Sequence, residues 1–394
     1  MTHVSVQKIR TLVATCMLVA AITAVSCGSS EVVANDQATV EVTASSTPAS
    51  TRPSFERPGP ALDITGVDGW INSEPLSIQQ ELDQNNVVLI DFWTYTCVNC
   101  LRTIPFLQEW QEKYSEHGLV IIGVHSPEFE FEKVRANVEQ AVVQEGVSWP
   151  VALDTNMQTW RVFGNRFWPA KYLLTPAKGL TYSHFGEGSY IETEQEIRDA
   201  LEAAGRDITG IPVGTVDNAE RDRDAKTMTR EIYGGYVRSY HPQGLYAGDD
   251  EYYISPDSTR FYEDEQDYEP QQFFLQGEWT NGAEAIVHAR RTEIPEDYIA
   301  LLMQARSANV VVEPQSTEVF RVYVTLDDQP LSMADAGDDI QFDKDGSSYF
   351  IVDSPRMYRV VEQQEFQPRV LKISSTSDAF AVFAFTFGIY DGGF

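Results

Sequence analysis

Residues 87–105 read VVLIDFWTYTCVNCLRTIP, an apolar run that meets two cysteines spaced C-x-x-C, with Asp91 six positions before the first of them. The run from Val87 to Phe92, broken only by Asp91, predicts a central strand covered on both faces. After Cys97 the apolar positions Leu101, Ile104, Leu107 and Trp110 recur at helical spacing. A strand running into a helix puts Cys97 at the helix N-terminus, where unpaired N–H groups and the helix dipole favour thiolate over thiol. Cys100, one turn deeper, is placed to resolve a mixed disulfide.

Such a pair serves a structural bridge, a metal site or electron transfer, and the rest of the chain separates the three. At 394 residues and 42% apolar content the chain is long enough for two or three globular domains. Its net charge of −30 and pI near 4.4 argue against a nucleic-acid partner. Lys8 and Arg10 precede an apolar run from Leu12 to Val25, the pattern of a secretory signal over residues 1–27. The end of that run, AVSC, resembles the bacterial lipobox, with Cys27 as the lipidated cysteine; ordinary cleavage nearby, giving a secreted or periplasmic protein, is the alternative. Residues 28–60, rich in Ser, Thr, Ala and Pro, read as a flexible tether.

With Cys16 lost in the signal and Cys27 lost or acylated, the mature chain keeps only Cys97 and Cys100. A bridge across two intervening residues closes too small a loop to stabilise much. Structural zinc wants four ligands, and the histidines at 3, 117, 125, 184, 241 and 288 offer no paired spacing. The redox reading therefore leads. His125 and His184 are assigned to loop or surface positions rather than to ligand roles.

DFWTYTCVNC resembles the active site of thioredoxin-fold oxidoreductases, and more closely the soluble part of the DipZ branch of the TlpA-like family. The resemblance implies a thioredoxin-type α/β fold with an inserted βα unit, over residues 61–205. It gives Cys97 and Cys100 the redox-active disulfide and Asp91 the buried carboxylate that moves protons. Trp93 becomes the tryptophan packed beside the cysteines, and Pro105 the helix-kinking proline, which otherwise costs about 3 kcal/mol mid-helix. In RFWPAKYLL (166–174), Pro169 falls on the family's cis-proline, and its loop with Trp168 receives substrate. GLVIIGVHSPEFEFEKVRANVEQAVVQEG (118–146) supplies the extra strand, loop and helix, with Glu128 on the family's acidic position and Glu130 and Glu132 close by. Thr193 and Glu196 make a capping box for a last helix of this domain. Residues 206–225 read as a linker.

Residues 226–394 change character. EVFRVYVTLDD places Phe320, Val322, Val324 and Leu326 on one face, and AFAVFAFTFGIY does the same with Ala381, Phe383, Phe385 and Phe387. With EAIVHAR, NVVVEP, SYFIVDS and RVLKIS between turns, this predicts an all-β sandwich. DipZ-type proteins carry a jelly-roll, carbohydrate-module-like domain at this place, and TREIYGGY (229–236) resembles its opening segment. Tyr252, Tyr253, Tyr262 and Tyr268 are candidates for stacking on a glycan or an envelope protein, or are parts of a soluble loop. DKDG (343–346) lacks a full calcium-ligand series and predicts a hairpin turn.

What the resemblance implies is an extracytoplasmic, membrane-tethered thiol–disulfide oxidoreductase that uses no cofactor and acts on exported cysteine-containing proteins as a reductant. DipZ-type proteins fuse this part to a polytopic membrane domain that supplies electrons; here a separate CcdA- or DsbD-like donor is expected. An adaptor whose β-sandwich binds a glycan or envelope protein is the alternative, and copper handling by the two thiolates lacks supporting His or Met spacing.

Overall fold

The computed structural model describes residues 62–214, 228–241 and 244–389; the expected signal, tether and Cys27, and linker residues 215–225, lie outside them. Residues Gly59–Phe394 form one compact unit. Among the described residues no helix is long and apolar enough to cross a membrane.

The first part of the unit runs β1 (Trp70–Ile71), α1 (Ile78–Asp83), β2 (Val87–Trp93), α2 (Val98–Tyr114), β3 (Leu119–His125), α3 (Arg135–Gln144), β4 (Val151–Leu153), α4 (Gln158–Phe163), β5 (Ala170–Thr175), β6 (Gly179–Phe185) and α5 (Tyr190–Ala203). Its six-stranded sheet has the order β1-β4-β3-β2-β5-β6. β2, β3 and β4 are mutually parallel, while β5 and β6 run antiparallel to their neighbours. This is the expected thioredoxin fold, and the expected strand, loop and helix of the inserted unit are β3, a 3₁₀ turn at Glu130–Lys133, and α3.

Every residue of β2 is buried, as a central strand must be. Its side chains alternate between two cores. Val88, Ile90 and Phe92 pack on the side of Ile78 and Trp160, whereas Val87, Leu89 and Trp93 pack with Leu101, Ile104 and Leu107 of α2. The parity puts Asp91 on the α2 side, beneath the cysteines. Pro105 lies inside α2.

The end of this part departs from expectation. α5 starts at Tyr190 with Ser189 as its N-cap, so Thr193 is not a cap; it is buried within the first turn, and its hydroxyl donates to the Ser189 carbonyl at 2.9 Å. The described start of the expected linker, 206–214, docks on the redox part. Arg206 donates to the Asn85 carbonyl, Ile208 is buried, and the Gly214 N–H donates to Glu194.

The strands of the second part pair antiparallel, eleven of them in one sheet and Tyr240–His241 with Gly244–Leu245 in a separate pair. Two long strands, Tyr298–Pro314 and Arg356–Ser375, run through both of its layers. The first half of Tyr298–Pro314 pairs with Phe273–Asn281 and its second half with Phe380–Gly388, and register shifts near Ala305 and Ala308 mark the bend between them. A sandwich results whose layers share strands around a common core.

Phe380–Gly388 is buried on both faces, and its parity differs from the expected one. A register shift opposite Val311/Val312 lets Ala381, Phe383 and Ala384 join the core of the redox part, while Val382, Phe385 and Phe387 stay in the sandwich core. A one-residue bulge flips every later side chain to the other face. Phe383 meets Phe129 and Phe131 edge-on, with ring centres 5.2 and 4.9 Å apart, so the two parts share a hydrophobic core. DKDG is a turn, with the Gly346 N–H donating to the Asp343 carbonyl.

Candidate active site

β2 ends at Trp93, and four residues later Cys97 caps the N-terminus of α2 in extended conformation. Cys97 is half-buried and Cys100 buried, both unbridged. The Cys100 thiol is pushed well up, by burial first and then by its hydrogen-bonded neighbour Cys97. It is thus a thiol shielded from solvent and held against the half-buried one.

Asp91 is buried, and its cross-strand partner on β5 is Lys171. The Lys171 Nζ stands 3.7 Å from the Asp91 Oδ1, an ion pair beyond hydrogen-bonding distance, and neither atom has a hydrogen-bond partner among the described residues. Burial pushes Asp91 up to about 6, with Lys171 pulling the other way, and burial pushes Lys171 down. Lys171 was not singled out in the sequence, although a lysine in the apolar run AKYLL, with its ammonium fully enclosed, demands a counter-charge.

Asp91 binds a proton more readily folded than unfolded, so its contribution to stability is fully present below about pH 4 and is lost as pH rises through 6. Urea unfolding from pH 4 to 7 is expected to show a fall of up to about 3 kcal/mol from this group, which Asp91→Asn flattens. An unaltered pH slope in that variant would show that Asp91 ionises normally.

The Trp168–Pro169 peptide bond is cis. Because Ala170 pairs with Phe92, this bond stands at the same end of the sheet as the cysteine loop. Trp168 lines the cleft over Cys97 and donates its indole N–H to the Ser126 carbonyl at 2.9 Å. Trp93 is buried core packing. His125, expected at a loop or on the surface, is instead buried at the end of β3, stacked on Tyr95, and pushed down to about 3 by burial, so it is neutral.

The acidic segment divides its roles. Glu132 is buried and accepts from the Thr96 hydroxyl at 2.5 Å, directly before Cys97; burial and then the charge of Glu128 push it up to about 7. Glu130 pairs with Lys133 at the surface. Glu128 faces the cleft of Cys97 and reaches across to the second part, accepting from the Tyr233 hydroxyl at 2.9 Å and from Arg238.

The cleft holds about 300 Å³. One wall comes from Asn99, Arg102 and Glu187, and the other from Thr229, Glu231 and the strand end Thr386–Gly388 of the β part. Gly388 approaches so closely that a Cβ there would lie 2.2 Å from the Arg102 guanidinium. Glu231 and Tyr233 stand in TREIYGGY, which marked the start of the second part, but nothing local pointed them or Arg238 to Cys97; only the folded sandwich brings them there. The four candidate tyrosines do not form a stacking platform: Tyr252 and Tyr262 are buried, Tyr253 bonds to Ser239 and Ala247, and Tyr268 to Asp264. Among the described residues no group of His, Cys, Asp or Glu is arranged to hold a metal ion.

Residues 63–179 match the family described as Redoxin, and residues 229–388 the family described as Thioredoxin like C-terminal domain. Protein DipZ of Mycobacterium tuberculosis is 38% identical over 197 residues, 49% of this chain and 28% of that protein. The chain thus spans under a third of the length of that relative. Thiol-disulfide oxidoreductase YkuV of Bacillus subtilis is 23% identical over 142 residues, 36% of this chain and 94% of YkuV. The crystal structure of a putative Thiol:disulfide interchange protein DsbE from Chlorobium tepidum is 23% identical, covers 32% of this chain and 86% of its own, and superposes with a TM-score of 0.29.

Proposed function

We propose that this chain, a TlpA-like protein of the DipZ type in its pairing of a redoxin segment with a thioredoxin-like C-terminal domain, is a thiol–disulfide oxidoreductase that reduces exported cysteine-containing proteins. The observation that carries this is the accessible Cys97 at the α2 N-terminus beside the enclosed Cys100, with the buried Asp91–Lys171 pair beneath. The Cys97 thiolate forms a bond to one sulfur of the substrate disulfide as the substrate S–S bond breaks. The other substrate sulfur leaves as a thiolate and takes a proton from water. Cys100 then gives up its proton and attacks the Cys97 sulfur, which releases the second substrate thiolate and leaves Cys97–Cys100 oxidised.

Asp91 is the base for Cys100. Its carboxyl, at about 6, is largely ionised at neutral pH, yet buried enough to hold a proton in transit. Lys171 balances that charge through the step. No cofactor takes part.

The same proposal sets the protein outside the cytoplasm, held to the membrane by a lipid on Cys27, and re-reduced by a CcdA- or DsbD-like membrane donor. The basic residues Lys8 and Arg10 before an apolar run, and the AVSC that ends it, support this. Mass spectrometry of membrane-fraction protein should find an acylated N-terminal Cys27; an unmodified N-terminus after cleavage would remove the anchor. For direction, the chain equilibrated against glutathione buffers is expected to poise near the reducing end of the range from about −270 to about −120 mV. A value at the other end would make it an oxidant.

A further inference from the structure

The cleft over Cys97 has two walls from different parts of the chain, and both carry charge. Arg102, buried on α2, pairs with Glu187 at 3.6 Å. Arg238 pairs with Glu128, and its guanidinium also lies over the rings of Phe129 and Tyr233. Glu231 lines the same cleft. Three carboxyls thus face two guanidiniums, each of them already engaged with a carboxylate. Glu231 has the charge of Glu128 against it, and in its favour the Arg238 charge and the Tyr233 hydroxyl, whose proton Glu128 also accepts. Burial first, and then the charge of Glu128, push it up to about 8. At neutral pH it therefore largely keeps its proton, and a cation brought beside it in the cleft draws it into the ionised form and gains an ion pair.

The dimensions limit what brings the cation. About 300 Å³ between two packed walls admits a few side chains, not the surface of a folded domain. A cleft of this size suits a disulfide on an extended segment better than one set in a flat, rigid surface. The net charge of −30 adds long-range attraction for the same class of substrate.

We propose that the substrate of this site is an extended cysteine-bearing peptide segment with Lys or Arg beside the cysteine, recognised by Glu231 across the cleft from Cys97. This rests on the oxidoreductase reading and names its substrate class. Glu231 contacts the substrate, while Glu128, Tyr233 and Arg238 position it.

The probes are three symmetric peptide disulfides, capped at both ends, built from Lys-Cys-Lys, Gln-Cys-Gln and Glu-Cys-Glu. Each is reduced by the full chain, itself pre-reduced with dithiothreitol. Each rate is divided by that of free dithiothreitol on the same peptide, which cancels the intrinsic reactivity of the disulfide. At low ionic strength the Lys peptide is expected to exceed the Gln peptide about tenfold, with the Glu peptide slowest. Glu231→Gln changes the net charge of the whole chain by at most a single unit out of the formal −30, so long-range attraction hardly alters. In that variant the Lys-to-Gln ratio is expected to fall at least about threefold. A Lys-to-Gln ratio near one in the natural protein, or the same ratio in the variant, overturns the proposal. Failure to reduce any of the three peptides, the neutral one included, overturns the oxidoreductase reading and this proposal with it.

Discussion

Replacing Cys97 with serine is expected to cut disulfide reduction by about a thousandfold or more, since a hydroxyl at the α2 N-terminus is no substitute for a thiolate nucleophile. Cys100→Ser should behave differently. Cys97 still attacks, but with the resolving thiol gone the covalent intermediate persists, and non-reducing gels should show a substrate-sized adduct on the chain that dithiothreitol removes. The asymmetry follows from exposure. Cys97 opens on the cleft, whereas Cys100 is 2% exposed and packs within the core. Adduct formation by Cys97→Ser in place of Cys100→Ser would invert the assignment. Activity within tenfold of the natural protein in Cys97→Ser would remove the thiol chemistry from this site altogether.

The part of the site that was legible in the sequence is the part encoded in one stretch. A strand apolar but for one acid, a C-x-x-C and a helical period place Cys97 and Cys100 through local geometry, and the resemblance adds Asp91 beneath them. Parity along β2 is enough to set Asp91 under α2. Lys171 was one step away, since its strand was recognised and its register opposite Asp91 depends only on how β5 pairs with β2. Other features depend on contacts that no local pattern announces. His125 reads as a loop or surface residue, whereas the fold buries it at the end of β3 with Tyr95 stacked on it. Thr193 has cap-like spacing, but α5 winds back to Ser189, because Tyr190 is buried and stacks on Phe106 at 3.5 Å between ring centres. In the last strand the alternation of AFAVFAF is real in the sequence, yet a bulge reassigns half of it to a different core. Glu231, Tyr233 and Arg238 reach Cys97 only because the whole sandwich docks where it does.

That docking carries the second large effect. Phe383→Ala is expected to destabilise the entire Gly59–Phe394 unit by about 3 to 5 kcal/mol, the cost of emptying a buried aromatic site that cannot collapse. Phe383 belongs by chain position to the sandwich and by packing to the redox part, with Phe129 and Phe131 on the segment that also carries Glu128 and Glu132. The loss should therefore appear in both parts at once: a single urea transition moved to lower denaturant, with hydrogen-exchange protection reduced alike in β2 and in Tyr298–Pro314. If the two parts were independent domains, the variant would show two transitions and lower protection only in the sandwich, because Phe383 would then be a partly exposed surface group from the viewpoint of the redox part. The chemistry shifts with it. Phe129 and Phe131 frame the turn that fixes Glu132 against Thr96 and Glu128 against Tyr233, so a cavity beneath them loosens the cleft wall without touching either cysteine. Under conditions where the variant is still fully folded, its reduction of the neutral Gln-Cys-Gln disulfide should fall less than its preference for the Lys-Cys-Lys peptide over that one, because attack needs only Cys97 whereas recognition needs the far wall in place.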